Sequence, residues 1–337
     1  MKRTHLLGAM LGGTLLLWSV YASGQQKPPQ KIEEDEQKPE GRAALRVEVE
    51  QVQVDVTVQD KKGNLIGGLK KGNFKVYENK LEQEIVSFSP TQAPMTAVFV
   101  AEYSKAIPWE FLYEVWMASH IFVDTMRPGD WVAVIAYDIR PEILVDFTQD
   151  KGEVVRALSR LNYPAFSESN LYDTVIDTLD RLEEVDGKTA MILVSSGLDT
   201  FSKKNLNDLL RRVKKTNVVI YPVSIGGNFL ARYEHRLSSS TRMDFYQAEA
   251  TLKAMAKQTG GEAYFPRFQQ AFPGVFQTIS ALLRSQYSLS YVSTNTARDG
   301  KFRKIKVKVW ADVDGNGKPD KLKVRHKQGY IVEKGIG

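Results

Sequence analysis

Between residues 94 and 284, apolar runs of strand length alternate with amphipathic runs of helix length, and this alternation constrains the chain more than any other feature. Residues 96–101 are apolar or β-branched without interruption, which suits a strand buried on both faces. The run stops at Glu102, Tyr103 and Ser104, and Pro108 then stands in the first-turn position of a helix predicted over 109–126. A strand follows at 131–137 and an edge hairpin at 142–147, then helices at 151–161, capped by 148–150, and at 171–184. A strand at 190–195, a helix at 206–214 and a strand at 218–225 continue the pattern. A helix over 251–258 stops at Gly260 and Gly261, a short strand occupies 263–265, and a last helix runs over 272–284. The fold class is therefore α/β, a doubly wound and mostly parallel sheet with helices on both faces. Ligands of such sheets lie outside the carboxyl ends of the strands, so Glu102 and Ser104 mark a candidate binding rim.

The flanks read differently. Val52, Val54, Val56 and Val58 alternate with polar residues, and a slip between Val49 and Val52 fits either a bulge or two strands. Strands at 74–77 and 84–88 complete an antiparallel N-terminal segment, 45–92. Beyond 285 the β alternation returns, with Ile305, Val307 and Val309 on one side and Lys304, Lys306 and Lys308 on the other. Each terminal segment is small, so 45–92 and 285–337 are expected to pair into one β domain with the α/β domain, 94–284, inserted between them.

The first residues carry an address. Lys2, Arg3 and His5 precede an apolar run over 6–22, and Ala22 and Gly24 are spaced for cleavage before Gln25. The run is shorter than the roughly 20 residues a spanning helix needs, which favours a signal peptide over 1–24 above a retained anchor. A polar, proline-bearing tether over 25–44 follows, which suits work near a membrane, and the protein is expected to be exported, periplasmic or extracellular. The chain has no Cys, which excludes lipoprotein anchoring and disulfides. Its net charge of +6 falls to +4 without Lys2 and Arg3, and no nucleic-acid module accompanies it, so no nucleic-acid partner is expected.

Three loops are expected on one sheet edge: 102–106, 167–173 and 195–200. Their order and spacing, with the helix start Leu171-Tyr172-Asp173 and the later stretch from Gly260 to Pro266, resemble the von Willebrand factor A domain. The flanks at 56–76, 286–291 and 298–307 add a resemblance to exported "VWFA-related" bacterial proteins of the Acidobacteria type. The resemblance implies a metal-ion-dependent adhesion site of the pattern Asp-x-Ser-x-Ser, Thr and Asp, in which hard Mg²⁺ takes oxygen ligands and leaves a position for a partner's carboxylate. Here Glu102 replaces the first Asp, Ser104 matches, and Ala106 stands where the second Ser belongs. Ser169 takes the place of Thr, and Ser196 that of the last Asp, with Asp199 nearby as a substitute. The expected site is a degenerate one, weak in Mg²⁺ or free of it.

In a second constellation Asp312, Asp314 and Asn316 set oxygen ligands at alternate positions before Gly317, with Lys318 and Asp320 beyond it, like the first half of an EF-hand calcium loop. Lys323 stands where an EF-hand needs a bidentate Glu, and the spacing is closer to thrombospondin type 3 loops. A Ca²⁺ loop and a simple hairpin turn between Trp310 and Leu322 both satisfy this composition. Catalytic motifs are missing, and His5, His120, His235 and His326 are scattered. The function expected is a non-enzymatic protein-binding or adhesion role, with the segment 226–246 as a further contact; the alternative is an envelope structural or assembly factor with no metal-dependent binding. A hydrolase using the same hydroxyls is the third reading.

Overall fold

The computed structural model describes residues 28–30, 51–90, 94–105, 119–160, 166–313 and 315–334. The expected leader, most of the tether, the slip between Val49 and Val52, Ala106, most of the helix expected over 109–126, and Asp314 lie outside the described residues.

The central layer is a five-stranded sheet. Its strands are β5 (Met95–Glu102), β6 (Trp131–Tyr137), β7 (Pro141–Thr148), β8 (Lys188–Ser195) and β9 (Val219–Ser224), in the spatial order β7-β6-β5-β8-β9. β5 pairs in parallel with β6 on one side and β8 on the other, β8 pairs in parallel with β9, and β7 closes one edge antiparallel to β6. Every residue of β5, β6, β8 and β9 is buried, as their unbroken apolar character requires in a doubly covered sheet. Alternate residues feed two cores. Ala97, Phe99 and Ala101 face helical residues 119–124, helix α1 (Lys151–Leu158) and helix α6 (Phe272–Arg284). Val98 and Val100 face α2 (Leu171–Glu183), α3 (Leu206–Lys215) and α5 (Ser239–Thr259).

Local signals placed several helix ends. Asp150 accepts a hydrogen bond from Gly152 N at the start of α1, and Asn205 caps α3 through Asn207 N and Asp208 N. α5 ends at Gly260 with φ 85°, where an added Cβ would lie 2.6 Å from the His326 carbonyl carbon. Two expectations need correction. α5 begins at Ser239 rather than at 251, and with α4 (Gly226–Tyr233) it makes most of the segment 226–246 helical. The first turns of α5 are mostly polar, with Phe245 and Ala248 as their buried residues, so apolar periodicity announced only its second half. The strand expected over 263–265 is reduced to one parallel bridge, Tyr264 with Val223.

The terminal segments form two further antiparallel sheets. One has the order β12 (Lys323–Arg325), β1 (Gln51–Gln59), β10 (Gln286–Val292), β4 (Ile85–Pro90). The other has the order β13 (Gly329–Ile331), β11 (Phe302–Val309), β2 (Phe74–Glu78), β3 (Leu81–Gln83). N-terminal strands thus pair directly with C-terminal ones: β1 and β4 flank β10, and β2 flanks β11. The valines of β1, with Phe74, Val76, Tyr287, Leu289, Tyr291, Ile305 and Val307, form a third core between the sheets. The α/β unit is inserted between β4 and β10. At its base the buried Asp130 accepts from Met95 N and Arg127 N and pairs with Arg284, joining the entry and exit of the insertion. Burial raises the Asp130 carboxyl, but Arg284 and the two backbone donors prevail and hold it below the ordinary carboxylate range. Among the described residues no helix is long and apolar enough to cross a membrane.

Candidate functional site

The carboxyl ends of β5, β6 and β8 carry Glu102, Tyr137 and Ser195 side by side, because parallel register sets Glu102 opposite Tyr137 and Ala101 opposite Val194. Glu102 is 1% exposed. Its side chain turns inward, and both carboxylate oxygens are occupied. The Ser104 hydroxyl donates to Oε1 at 2.9 Å, the Ser195 hydroxyl to Oε2 at 3.0 Å, and the Ser196 backbone N–H to Oε2 at 2.7 Å. The Ser196 hydroxyl lies 2.8 Å from Oε2 and 3.0 Å from Oε1. Tyr137 OH donates to Ser195 Oγ at 2.7 Å and reaches Glu102 Oε2 at 3.4 Å. Burial and the neighbouring Glu102 charge push the Tyr137 phenol well above its ordinary range, so it remains a proton donor to the cluster.

The second and third loops are joined to each other. Ser169 N donates to Thr200 Oγ1 at 2.9 Å, and Thr200 N and Phe201 N both donate to Ser169 O. The Ser169 hydroxyl is fully buried and lies beside the Tyr137 phenol. Asp199 does not point toward Glu102. It accepts from Tyr172 N and from the Ser202 hydroxyl, so it serves the first turn of α2. Burial pushes its carboxyl up from the ordinary value, opposed by the Ser202 hydroxyl and the backbone donors. The structure therefore brings Glu102, Ser104 and Ser196 into one hydrogen-bonded cluster, places Ser169 beside it, and gives Asp199 a capping role.

This donor set does not fit the Mg²⁺ coordination that the resemblance implies. A cation would have to displace donors from Glu102, and the Ser196 N–H, fixed by the strand end, has no lone pair to offer in exchange. Tyr137 and Ser195 were not among the candidate residues, since each reads as an ordinary strand end; only the parallel register sets them beside Glu102.

Above the buried cluster the surface is aromatic and basic. Phe166 is 44% and Phe201 53% exposed, and both belong to loops tied to the cluster, Phe166 O accepting from Lys105 N at 2.7 Å. Lys105, Lys203 and Lys204 are exposed on the same loops. Two acids share these loops: Asp173, whose carboxylate accepts from Lys203 N and Lys204 N, and the exposed Glu168, which accepts from Ser167 N.

In the tail loop, Asp312 accepts from Asn316 N and Gly317 N, Asn316 Oδ1 from Lys318 N, and Asp320 Oδ2 from Val313 N. The loop closes on its own backbone as an Asp/Asn/Gly turn does. Among the described residues no group of three or more His, Cys, Asp or Glu side chains is arranged to hold a metal ion.

No protein-family model and no curated protein matches this chain. Solved structures do. A von Willebrand factor type A protein from Catenulispora acidiphila matches at 11% identity and a TM-score of 0.45, over 78% of this chain and 74% of that one. The vWF domain of the type V pili tip protein Mfa5 from Porphyromonas gingivalis matches at 12% identity and a TM-score of 0.43, over 57% of this chain and 95% of that one. An aerotolerance-related membrane protein from Bacteroides fragilis matches at 13% identity and a TM-score of 0.42, over 56% and 98% respectively. The α/β assignment of this chain stands on the strand order and register given above.

Proposed function

We propose that this is an exported, non-enzymatic protein that binds a protein partner at the top of the α/β sheet, through an aromatic and basic rim and without Mg²⁺. One observation carries the reading: the carboxylate at the centre of the site is sealed inside by hydroxyl and amide donors, while Phe166 and Phe201 stand exposed above it. Glu102 then acts as a tie. It binds the ends of β5 and β8 together and fixes the loops that present the two phenylalanines. Exposed aromatics on a rigid base are the anchors protein interfaces favour, and the neighbouring lysines suit an acidic border on the partner. A hydrolytic role has less support, since the Ser195 hydroxyl is fully buried and donates to Glu102.

The test is capture of partners from envelope extracts by the full chain, with and without a chelator. Capture that survives chelation and falls at least tenfold, about 1.4 kcal/mol, in Phe166→Ser/Phe201→Ser supports the proposal. Capture that disappears with chelator and returns with Mg²⁺ overturns it in favour of metal-dependent adhesion. Equal capture by the wild type and the double variant removes the rim from the interface.

A further inference from the structure

The second sheet of the β unit carries a feature that the function of the rim does not use. Along β11 the side chains alternate, with Arg303, Ile305 and Val307 buried and Lys304, Lys306 and Lys308 exposed. The register sets Lys306 beside Tyr77 and Lys308 beside Lys75, so residues distant in sequence share one outer face. The Lys308 ammonium lies 5.0 Å from the Tyr77 ring centre and 6.0 Å from that of Trp310, which is 40% exposed.

Two alternatives to a binding role fail on geometry. Lysines commonly guard sheet edges against pairing with another chain, but β2 is an inner strand and the side of β11 away from it is covered, by β13 over 302–304 and beyond that by Gln328 O and His326 Nε2, which accept from Ile305 N and Val307 N. Nor are these lysines part of a surface ion-pair lattice. On the α/β unit, Arg212 pairs with Asp180 and Glu183, and Arg181 with Asp146. On this face Glu82 pairs with Lys75, and among the described residues no carboxylate pairs with Lys304, Lys306 or Lys308. Like charges set opposite each other across strands, as Lys308 and Lys75 are, cost stability.

We propose that this face docks on the anionic phospholipid headgroups of a bilayer. The charge is complementary, and the surface is an open sheet face, suited to a plane rather than to a rod or a peptide. Tyr77 and Trp310 stand among the lysines as aromatics do at membrane–water interfaces, where an apolar ring and a polar tip are both satisfied. Each lysine near an anionic membrane surface contributes about fivefold to partitioning, so the three of β11 together account for roughly a hundredfold.

The experiment is flotation of the full chain with vesicles of phosphatidylcholine alone and of phosphatidylcholine mixed with phosphatidylglycerol. The binding to the neutral vesicles measures what the N-terminal apolar run contributes by itself. The expected result is a preference for the anionic vesicles that fades with added salt and falls roughly a hundredfold in Lys304→Gln/Lys306→Gln/Lys308→Gln. The corresponding Lys→Arg triple variant retains the preference, and Trp310→Ser loses a few-fold of it. Equal partitioning on the two vesicle types overturns the proposal, as does an unchanged preference in the Gln variant. Tighter binding to duplex DNA or to an acidic polysaccharide than to the anionic vesicles at the same salt also overturns it.

Discussion

Among the described residues two glutamates are buried, one in each unit, and they are held by opposite means. Glu78, on β2, faces a full positive charge. Arg303 Nη1 lies 3.2 Å from its Oε1, and Arg303 is itself buried and held by the carbonyls of Asn295 and Ala297. Tyr291 OH, Tyr330 OH and the Ser293 hydroxyl complete the shell, each donating at 2.8–2.9 Å. Burial and the Glu78 carboxylate together push the Tyr330 phenol up to about 12, and Tyr291 higher still. Glu102 has hydroxyls and one backbone N–H, and among the described residues no Lys or Arg is paired with it. A buried carboxylate without a counter-charge costs more than one with it, so the two sites have different tasks. Glu78 locks a core. Glu102 holds loops at the carboxyl end of the sheet, and dipoles suffice there because five donors are directed at it from three different strand ends.

The contrast is testable, and the largest effect is expected in the β unit. Arg303→Met leaves Glu78 charged and without its counter-ion, and should cost about 3–5 kcal/mol in urea unfolding. Adding Glu78→Gln should recover part of that loss; a double variant no better than the single one would mean that Arg303 acts through packing alone.

Two buried cations sharpen the comparison further. Burial lowers Lys188 and Lys327 from 10.5 to about 8, although Asp55 pulls in the other direction for both. Their ammonium groups are satisfied by the Leu283 carbonyl and by Asn217 Oδ1. Between pH 8 and 10.5 the unfolded chain binds more protons at these lysines than the folded one, so stability rises with pH across that window. The rise is as much as about 3 kcal/mol per lysine. The buried tyrosines, whose folded values are raised, give the opposite slope once pH exceeds that of a free phenol. Unfolding midpoints measured from pH 7 to 10 should therefore climb, and Lys327→Met should flatten the climb.

Glu102→Gln is expected to be milder, about 1–2 kcal/mol, because the Ser104, Ser195 and Ser196 hydroxyls can turn to accept from the new amide. A loss as large as that of Arg303→Met would erase the distinction between the two sites. The smallest effect belongs to the rim: Phe201→Ser should shift thermal stability by no more than about 0.5 kcal/mol while weakening partner capture.

Some of this was legible before any fold was known. The carboxyl-terminal ends of β5 and β8 were marked by the change from apolar run to Glu102 and to Ser195-Ser196, and the convergence of the three loops followed from the parallel order. The direction of Glu102 was not legible. A carboxylate at a strand end looks alike whether it faces solvent or folds back, and its partner Tyr137 lies 35 residues away in the chain. Asp199 could not be told from a ligand, because its role depends on where the first turn of α2 happens to lie. The lysines of β11 read as one wet face of a strand. That they meet Lys75 and Tyr77 depends on a register between strands more than two hundred residues apart.

The sequence by itself determined what nearest neighbours decide: most of the segments that are strand or helix, where Asp150, Asn205 and Gly260 begin or end a helix, and that the two termini are β in character. Those outcomes depend on backbone geometry and apolar spacing within a few residues of each other. Only the tertiary structure decided which charges are sealed, which are paired and which stand open to solvent. Burial and ion pairing depend on distances in space, and the parallel and antiparallel registers that set those distances join residues the chain keeps far apart.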